Sequence, residues 1–400
     1  MKQRVIANPP IGIYTNPRTH IGHAFFLIAL DTLARYKNAF LGENVIFPGR
    51  SYNFYGKRGD KLAQKENYSP ENHKILKERN LKIVNQDKSR SKLNLSSLEL
   101  LIDDDEKIVE GVQKDFIQLY KKGYAIIEKG TFYLDCPKIR KNFRLKSYLD
   151  KINFFPKRIE GELERLIEKN MILIPITKPT KYSPENTLGG DNIGPLFVLS
   201  NMWDHKYKNS SFTMAGSNSV LSKYIFLRFL SRIALEDNPG MDEVVIWPKI
   251  LPEKGEDFWN IDNLVKDVYH GDMIRHSVLS VFSKNKQKLL LPMSNFEGAR
   301  NFVYLLANLR KPLNGSVFRG EDFYSDYIEE MNNLNYPKIL TRIEKDLRTI
   351  SREMNLNKDK SLWNDSTREI FAQKYLSLVK MCEPFVPETT KLIGKDIKND

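Results

Sequence analysis

Short apolar runs alternate with longer periodic stretches over the first 250 residues, and periodic stretches dominate after about residue 292. Arg4-Val5-Ile6-Ala7 reads as a buried strand closed by Pro9-Pro10. Over residues 24–41, Phe25, Leu27, Ile28, Leu30, Leu33, Ala34 and Phe40 give a helix with a broad apolar face. Residues 43–49 predict a second strand ending in a turn, so the opening is a βαβ unit with a right-handed crossover. Residues 61–125 predict helix, with a start at Ser69-Pro70-Glu71 and a stop at Lys122-Gly123, interrupted by a polar loop over 85–97. Residues 171–176 form a short buried strand, and 192–203 a strand running into a helix that buries Leu196, Phe197, Val198 and Leu199. Residues 212–235 repeat strand, turn and helix, and 243–247 add a strand. Four helices follow, over 296–309, 324–331, 339–354 and 366–382.

This alternation predicts an α/β fold with a parallel sheet, followed by an all-α bundle. Two cysteines, Cys136 and Cys382, far apart in the chain, exclude a disulfide framework and a Cys-rich zinc knuckle. A reducing, cytoplasmic compartment is the natural expectation. The sequence has no uninterrupted apolar run of the roughly 20 residues that a membrane helix needs, and it enters its first strand without a signal peptide. The net charge of +13, from 63 Lys+Arg against 50 Asp+Glu, suits either a polyanionic partner such as RNA or a solubilising surface.

Between the first strand and its helix stand His20 and His23, flanking Gly22. A strand–turn–helix junction gathers anions through free backbone N–H groups and the helix dipole. Gly22 allows a flat group to approach the backbone, and two imidazoles can hydrogen-bond phosphate oxygens whose charge grows in a transition state. The plainer alternative is one solvent-facing and one packed histidine at a helix start. Asp103-Asp104-Asp105-Glu106 is either a metal cluster or the acidic first turn of the next helix.

The run Tyr14-Thr15-Asn16-Pro17-Arg18-Thr19-His20-Ile21-Gly22-His23-Ala24, followed by Asp31-Thr32-Leu33-Ala34-Arg35-Tyr36, resembles the HIGH signature of class I aminoacyl-tRNA synthetases, closest to the methionyl branch. Leu119-Tyr120-Lys121-Lys122-Gly123-Tyr124 is similar to the family's approach to its connective domain. Glu383-Pro384-Phe385-Val386-Pro387-Glu388 is similar to the last helix start of the methionyl-type anticodon-binding bundle. The resemblance implies a Rossmann-like parallel-sheet nucleotide-binding domain with a mainly helical insertion and an all-α C-terminal bundle. Its halves are expected at 1–110 and 171–290, around a connective insertion at 111–170, with a helical anticodon-binding-like domain at 291–400.

It also implies ATP-dependent amino-acid activation with transfer to tRNA or another acceptor. ATP with Mg2+ is the implied cofactor, and no zinc is expected. The amino acid would be methionine or another apolar one. Thr15, Asn16, His20, Gly22, His23, Gly216 and Asn218 fall at ATP-binding positions; Tyr14, Asn53, Phe197 and Lys223 fall at amino-acid-binding positions. Three places depart from the family pattern. Asn53 stands near the family's ammonium-pairing aspartate. Asn218 stands at the ribose aspartate, where it either accepts a ribose hydroxyl or caps a helix. The loop after residue 247 lacks the KMSKS lysines; Lys249 or Lys254 could replace them, or the loop is an inert turn. These departures leave a second reading, a weakened paralogue that binds ATP or tRNA as a module.

Overall fold

The computed structural model describes residues 3–7, 11–12, 21–48, 50–53, 75, 78–79, 81–83, 92–97, 100–102, 105–169, 173–179, 183–208, 210–216, 224–236, 238–252, 261, 264, 270–282, 288–310, 323–356 and 365–397. In chain order its elements begin β1 (Arg4–Ala7), β2 (Ile11–Gly12), α1 (Ile21–Leu41), β3 (Val45–Ile46), β4 (Arg50–Asn53) and β5 (Leu100–Ile102). There follow α2 (Glu106–Lys121), β6 (Ala125–Glu128), β7 (Thr131–Leu134), α3 (Cys136–Asn142), α4 (Leu145–Leu149), β8 (Asn153–Phe155) and α5 (Arg158–Lys169). Next come β9 (Ile174–Pro175), β10 (Thr177–Lys178), β11 (Asn192–Ile193), α6 (Pro195–Lys206), β12 (Ser211–Gly216), α7 (Phe226–Glu236) and β13 (Glu243–Ile246). The rest is β14 (Lys249–Pro252), α8 (Gly271–Ser280), β15 (Lys288–Leu291), α9 (Ser294–Asn308), α10 (Tyr327–Asn332), α11 (Tyr336–Leu356), α12 (Asp365–Cys382) and α13 (Pro387–Ile397). Two compact units interleave along the chain: Met1–Arg18, Glu43–Asp87 and Ser97–Trp247 form the first, and Thr19–Gly42, Lys88–Ser96 and Pro248–Asp400 the second.

The first unit is a Rossmann-like layer. Five strands lie in the order β3-β1-β12-β13-β8, each parallel to its neighbour. Val5, Ile6, Met214, Ala215 and Val244 are fully buried, as in a sheet covered on both faces. A second parallel ladder, β2-β4-β5, pairs Gly12 with Asn53 and Tyr52 with Ile102. Here the structure departs from the sequence pattern. Residues 50–53 are polar enough to read as a turn, and 100–102 lie in a stretch with helical patterning. Pairing with sequence-distant neighbours makes both of them strands. Likewise Phe154 and Phe155 lie in the sheet's edge strand, β8, paired with Val244 and Val245. On the unit's helical side, Phe116 of α2 meets Phe132 at 5.1 Å and Phe197 of α6 at 6.3 Å, both edge-on, and Trp203 is fully buried in the same core. Burying each such ring contributes about 1.5–3 kcal/mol.

Local chemistry sets the ends of α2. Asp105 caps its start, accepting the Lys107 N–H at 3.1 Å, with Glu106 in the first turn. At its end Gly123 adopts φ +70°, and the Gly123 and Tyr124 N–H groups donate to the Tyr120 and Leu119 carbonyls. So the described part of the 103–106 run, Asp105 and Glu106, serves as a helix start. Gly189 and Gly190 both take positive φ in a turn.

The second unit is mainly helical, with one parallel pair, β14–β15, that places Lys249 opposite Lys288. Lys249 is therefore a strand residue and not part of a loop. Long rings hold α1 in this unit: Phe25 stacks on Phe282 at 6.1 Å, and Tyr36 lies edge-on to Tyr327 and donates to Asn332 Oδ1 at 3.0 Å. The four C-terminal helices predicted from periodicity are present, together with α13, which begins at Pro387 after the Glu383-Pro384-Phe385 elbow.

Candidate active site

In the first unit, the chain leaves β1 towards β3 on one side and leaves β12 towards β13 on the other. The carboxyl ends of β1 and β12 thus flank a topological switch point, where open parallel sheets bind ligands. Gly216 is the last residue of β12 and pairs with Ile246. Asn53 is likewise the last residue of β4, opposite Gly12. Neither Gly216 nor Gly12 carries a Cβ, which suits the approach of a flat ligand.

In the second unit, α1 opens with Ile21-Gly22-His23 and has no acidic side chain in its first turn, at the positive end of its dipole. Ile21 is fully buried; Gly22 and His23 are partly exposed. Eight residues on, about 12 Å along the helix, Asp31 anchors it. Its Oδ2 accepts from Arg275 Nη1 at 2.7 Å and Arg35 Nε at 2.8 Å, and Oδ1 accepts the Ser96 N–H at 2.7 Å. Arg275 also donates to Thr32 Oγ1 at 3.1 Å and to the Phe385 and Pro384 carbonyls at 2.9 and 2.7 Å. Both partners have zero side-chain exposure. Burial alone would raise the Asp31 pKa, but the two guanidiniums and the Ser96 hydrogen bonds outweigh it and hold the carboxyl below its usual range. One helical turn before Arg275, Asp272 accepts from Asn94 Nδ2 and from the Thr389 N–H and hydroxyl. These anchors fix α1 and the C-terminal elbow in one framework.

Of the expected site residues, Gly22 and His23 lie in the first turn of α1 and Gly216 at the end of β12. The backbone of Asn53 ends β4. Phe197 lies in α6 at zero exposure, its ring packed on Phe116. Tyr14, Thr15, Asn16, His20, Asn218, Lys223 and Lys254 lie outside the described residues. Sequence reading missed the anchors Asp31, Asp272 and Arg275. It also missed a polar network in the first unit: Asp115 accepts from Arg232 Nη1 at 3.0 Å and is 2.9 Å from His205 Nε2, while Arg228 grips both oxygens of Asp204 at 2.7 and 2.8 Å. This network borders a cavity of about 420 Å³ that is also lined by Ser211 and Asp242, at the amino ends of β12 and β13. That is the end of the sheet opposite to Gly216. His270 stands just before α8 without a side-chain cap bond, and His276 is buried against Phe302 at 4.2 Å, so the two imidazoles do not form a metal pair. Among the described residues no group of three or more His, Cys, Asp or Glu is placed to hold a metal ion. Cys136 is buried and burial pushes its thiol up to about 12. No described helix is long and apolar enough to cross a membrane.

Comparison with known proteins places these features in context. Residues 10–148 match the family model "tRNA synthetases class I (M)". A stretch of 130 residues is 35% identical to the methionine–tRNA ligase of Ureaplasma parvum serovar 3 (strain ATCC 700970), covering 32% of this chain and 23% of that relative's length. The chain therefore aligns to less than a quarter of this curated relative. Among solved structures, Mycobacterium tuberculosis methionyl-tRNA synthetase bound by methionyl-adenylate superposes with a TM-score of 0.75 at 11% identity, over 98% of this chain and 93% of that one. A second structure of that synthetase with methionyl-adenylate gives 0.74 at 12%, with the same coverage. At these identities the structural likeness speaks to the fold.

Proposed function

We propose, for a chain that is class I and methionyl-tRNA synthetase-like, that it is an ATP-dependent ligase which activates an amino acid as its adenylate and passes the acyl group to tRNA or another acceptor. The observation that carries this is the head of α1: Ile21-Gly22-His23 opens the helix with no acid in its first turn. In this proposal the amino-acid carboxylate attacks the α-phosphorus of ATP, the bond to the β-phosphate oxygen breaks, and pyrophosphate leaves. His20 and His23 donate hydrogen bonds to phosphate oxygens, and the N-terminal dipole of α1 offsets their growing charge. Gly22 admits the nucleotide to the backbone, flanked by Thr15 and Asn16. Gly216 and Asn218 take the nucleoside. Mg2+ arrives on the ATP phosphates.

We assign Tyr14, Asn53, Phe197 and Lys223 to the amino acid. A side chain with no exposed surface acts by packing, and this is the part we give to Phe197. Asn53 would meet the substrate ammonium with a neutral amide oxygen, which forgoes a charge-assisted bond of roughly 1.5–3 kcal/mol. Lys254 is our candidate to steady the departing phosphates. Lys249 is the poorer one, because it is committed to β14. The neutral Asn53 and Asn218 favour a second reading, a paralogue that retains ATP or tRNA binding with little catalysis.

Amino-acid-dependent ATP–pyrophosphate exchange, scanned over all twenty amino acids, separates the two. Exchange with one amino acid, lowered about 10²–10³-fold by His23→Ala, supports the ligase. Absence of exchange, with ATP still raising the melting temperature, supports the binding module.

A further inference from the structure

More than half of the chain's net charge of +13 is concentrated in a short stretch of the first unit. Residues 136–158 hold eight Lys or Arg and one acid, Asp150, a surplus of +7 in 23 residues. They fold as α3, α4, β8 and the first residue of α5. Ile139, Leu145, Leu149 and Ile152 turn inwards and are buried, while Arg140, Lys141, Arg144, Lys146 and Lys151 are exposed. Acids from α5 reach two of the cations: Glu164 lies 3.8 Å from Lys146 and Glu160 2.6 Å from Lys157. Both lysines remain about four-fifths exposed, at 80% and 78%, and such pairs are weak and yield to a stronger anion.

Three partly buried rings, packed against the core, run through the same surface. Tyr124 and Phe143 are 5.7 Å apart, and Phe143 and Tyr148 are 6.5 Å apart. Lys138 Nζ sits 5.5 Å over Tyr124 and Lys151 Nζ 5.1 Å over Tyr148, so the row of rings is capped by an ammonium at each end. Cation–π contact holds those ammoniums near fixed positions. Fixed cations interleaved with aromatic rings suit a chain of phosphates that carries stackable bases.

We propose that this face, formed by α3, α4 and the Tyr124–Phe143–Tyr148 row, binds the phosphate backbone of a structured RNA. The choice of RNA among polyanions rests on the synthetase-like reading. A lipid surface fits less well, because the aliphatic side chains that would insert are buried and α3 and α4 have only seven and five residues.

The test is binding of total tRNA by the full chain over a salt series, comparing wild type, the variant Lys141→Glu, Arg144→Glu, Lys151→Glu, and a control carrying Lys107→Glu, Lys114→Glu, Lys121→Glu on α2. The surface variant should lose about tenfold or more in affinity near 0.1 M salt, and its slope of log affinity against log salt should fall by about 2–3. The control should change by less than about threefold. Equal losses in both variants, or none in the surface variant, would overturn the proposal. Lysine acetylation of the wild type gives an independent readout: bound tRNA should protect Lys141, Lys146 and Lys151 more than Lys107 and Lys114, and equal labelling counts against it. Binding to phosphatidylserine vesicles without binding to tRNA overturns it in favour of a membrane. Pyrophosphate exchange keeps the two proposals apart. Surface-dependent tRNA binding without exchange removes the ligase and leaves the RNA face standing; exchange with surface-independent tRNA binding does the reverse.

Discussion

Arg275 keeps its charge at zero exposure because Asp31, Thr32 and two elbow carbonyls surround its guanidinium. Removing one member of such a pair leaves the other charge buried and alone, at about 3–5 kcal/mol. Asp31→Ala and Arg275→Ala are each expected to lose about that much in urea unfolding. The joint change Asp31→Leu, Arg275→Met should lose far less; a double variant as unstable as the singles would show that the elbow carbonyls matter more than the charge. His276 gives a pH test. Among the described residues neither ring nitrogen has a hydrogen-bond partner, and burial lowers the imidazole pKa to about 4. An unfolded histidine titrates near 6.5, so between those values the unfolded chain binds the proton and the folded one does not. Stability is therefore retained above about pH 6.5 and falls as the pH drops towards 4, by up to roughly 3 kcal/mol. His276→Leu should remove that loss and be at least as stable at pH 7. If the pH dependence survives in His276→Leu, the imidazole is not its source.

Among the elements, close approach between α2 and α6 is what Gly111 permits. A Cβ there would stand 2.2 Å from His205 Nδ1, and Asp115 holds that ring from its other nitrogen. Gly111→Ala is expected to cost about 1–3 kcal/mol. In a His205→Ala background the cost should vanish, since alanine is the better helix former by about 1 kcal/mol; a cost that persists there would place the strain elsewhere. The helices were legible in the sequence because a 3.6-residue period records burial within one stretch, and β1, β12 and β13 because fully buried strands are apolar throughout. The strands β4, β5 and β8 were hidden because their pairing partners are far away in the sequence. The same distance hid the anchors of the candidate site. The head of α1 could be read from a contiguous motif, whereas Asp31 and Arg275 stand 244 positions apart and no local spacing links them.

At the scale of the whole molecule, two compact units with separate cores are threaded through one another in sequence. Chains of this kind commonly depart from two-state unfolding. Calorimetry is expected to resolve more than one transition, with Gly111→Ala lowering one and Asp31→Ala the other; a common shift would mean that the units melt as one. The interleaving also sets an order of events in time. Asp31 leaves the ribosome 244 residues ahead of Arg275. At about 5–20 residues per second that is a wait of roughly 10–50 s. For that interval the apolar side of α1, with Phe25, Ile28 and Tyr36, is made but has no bundle to enter. The helix that carries His23 is thus made well before the arginine that seats it.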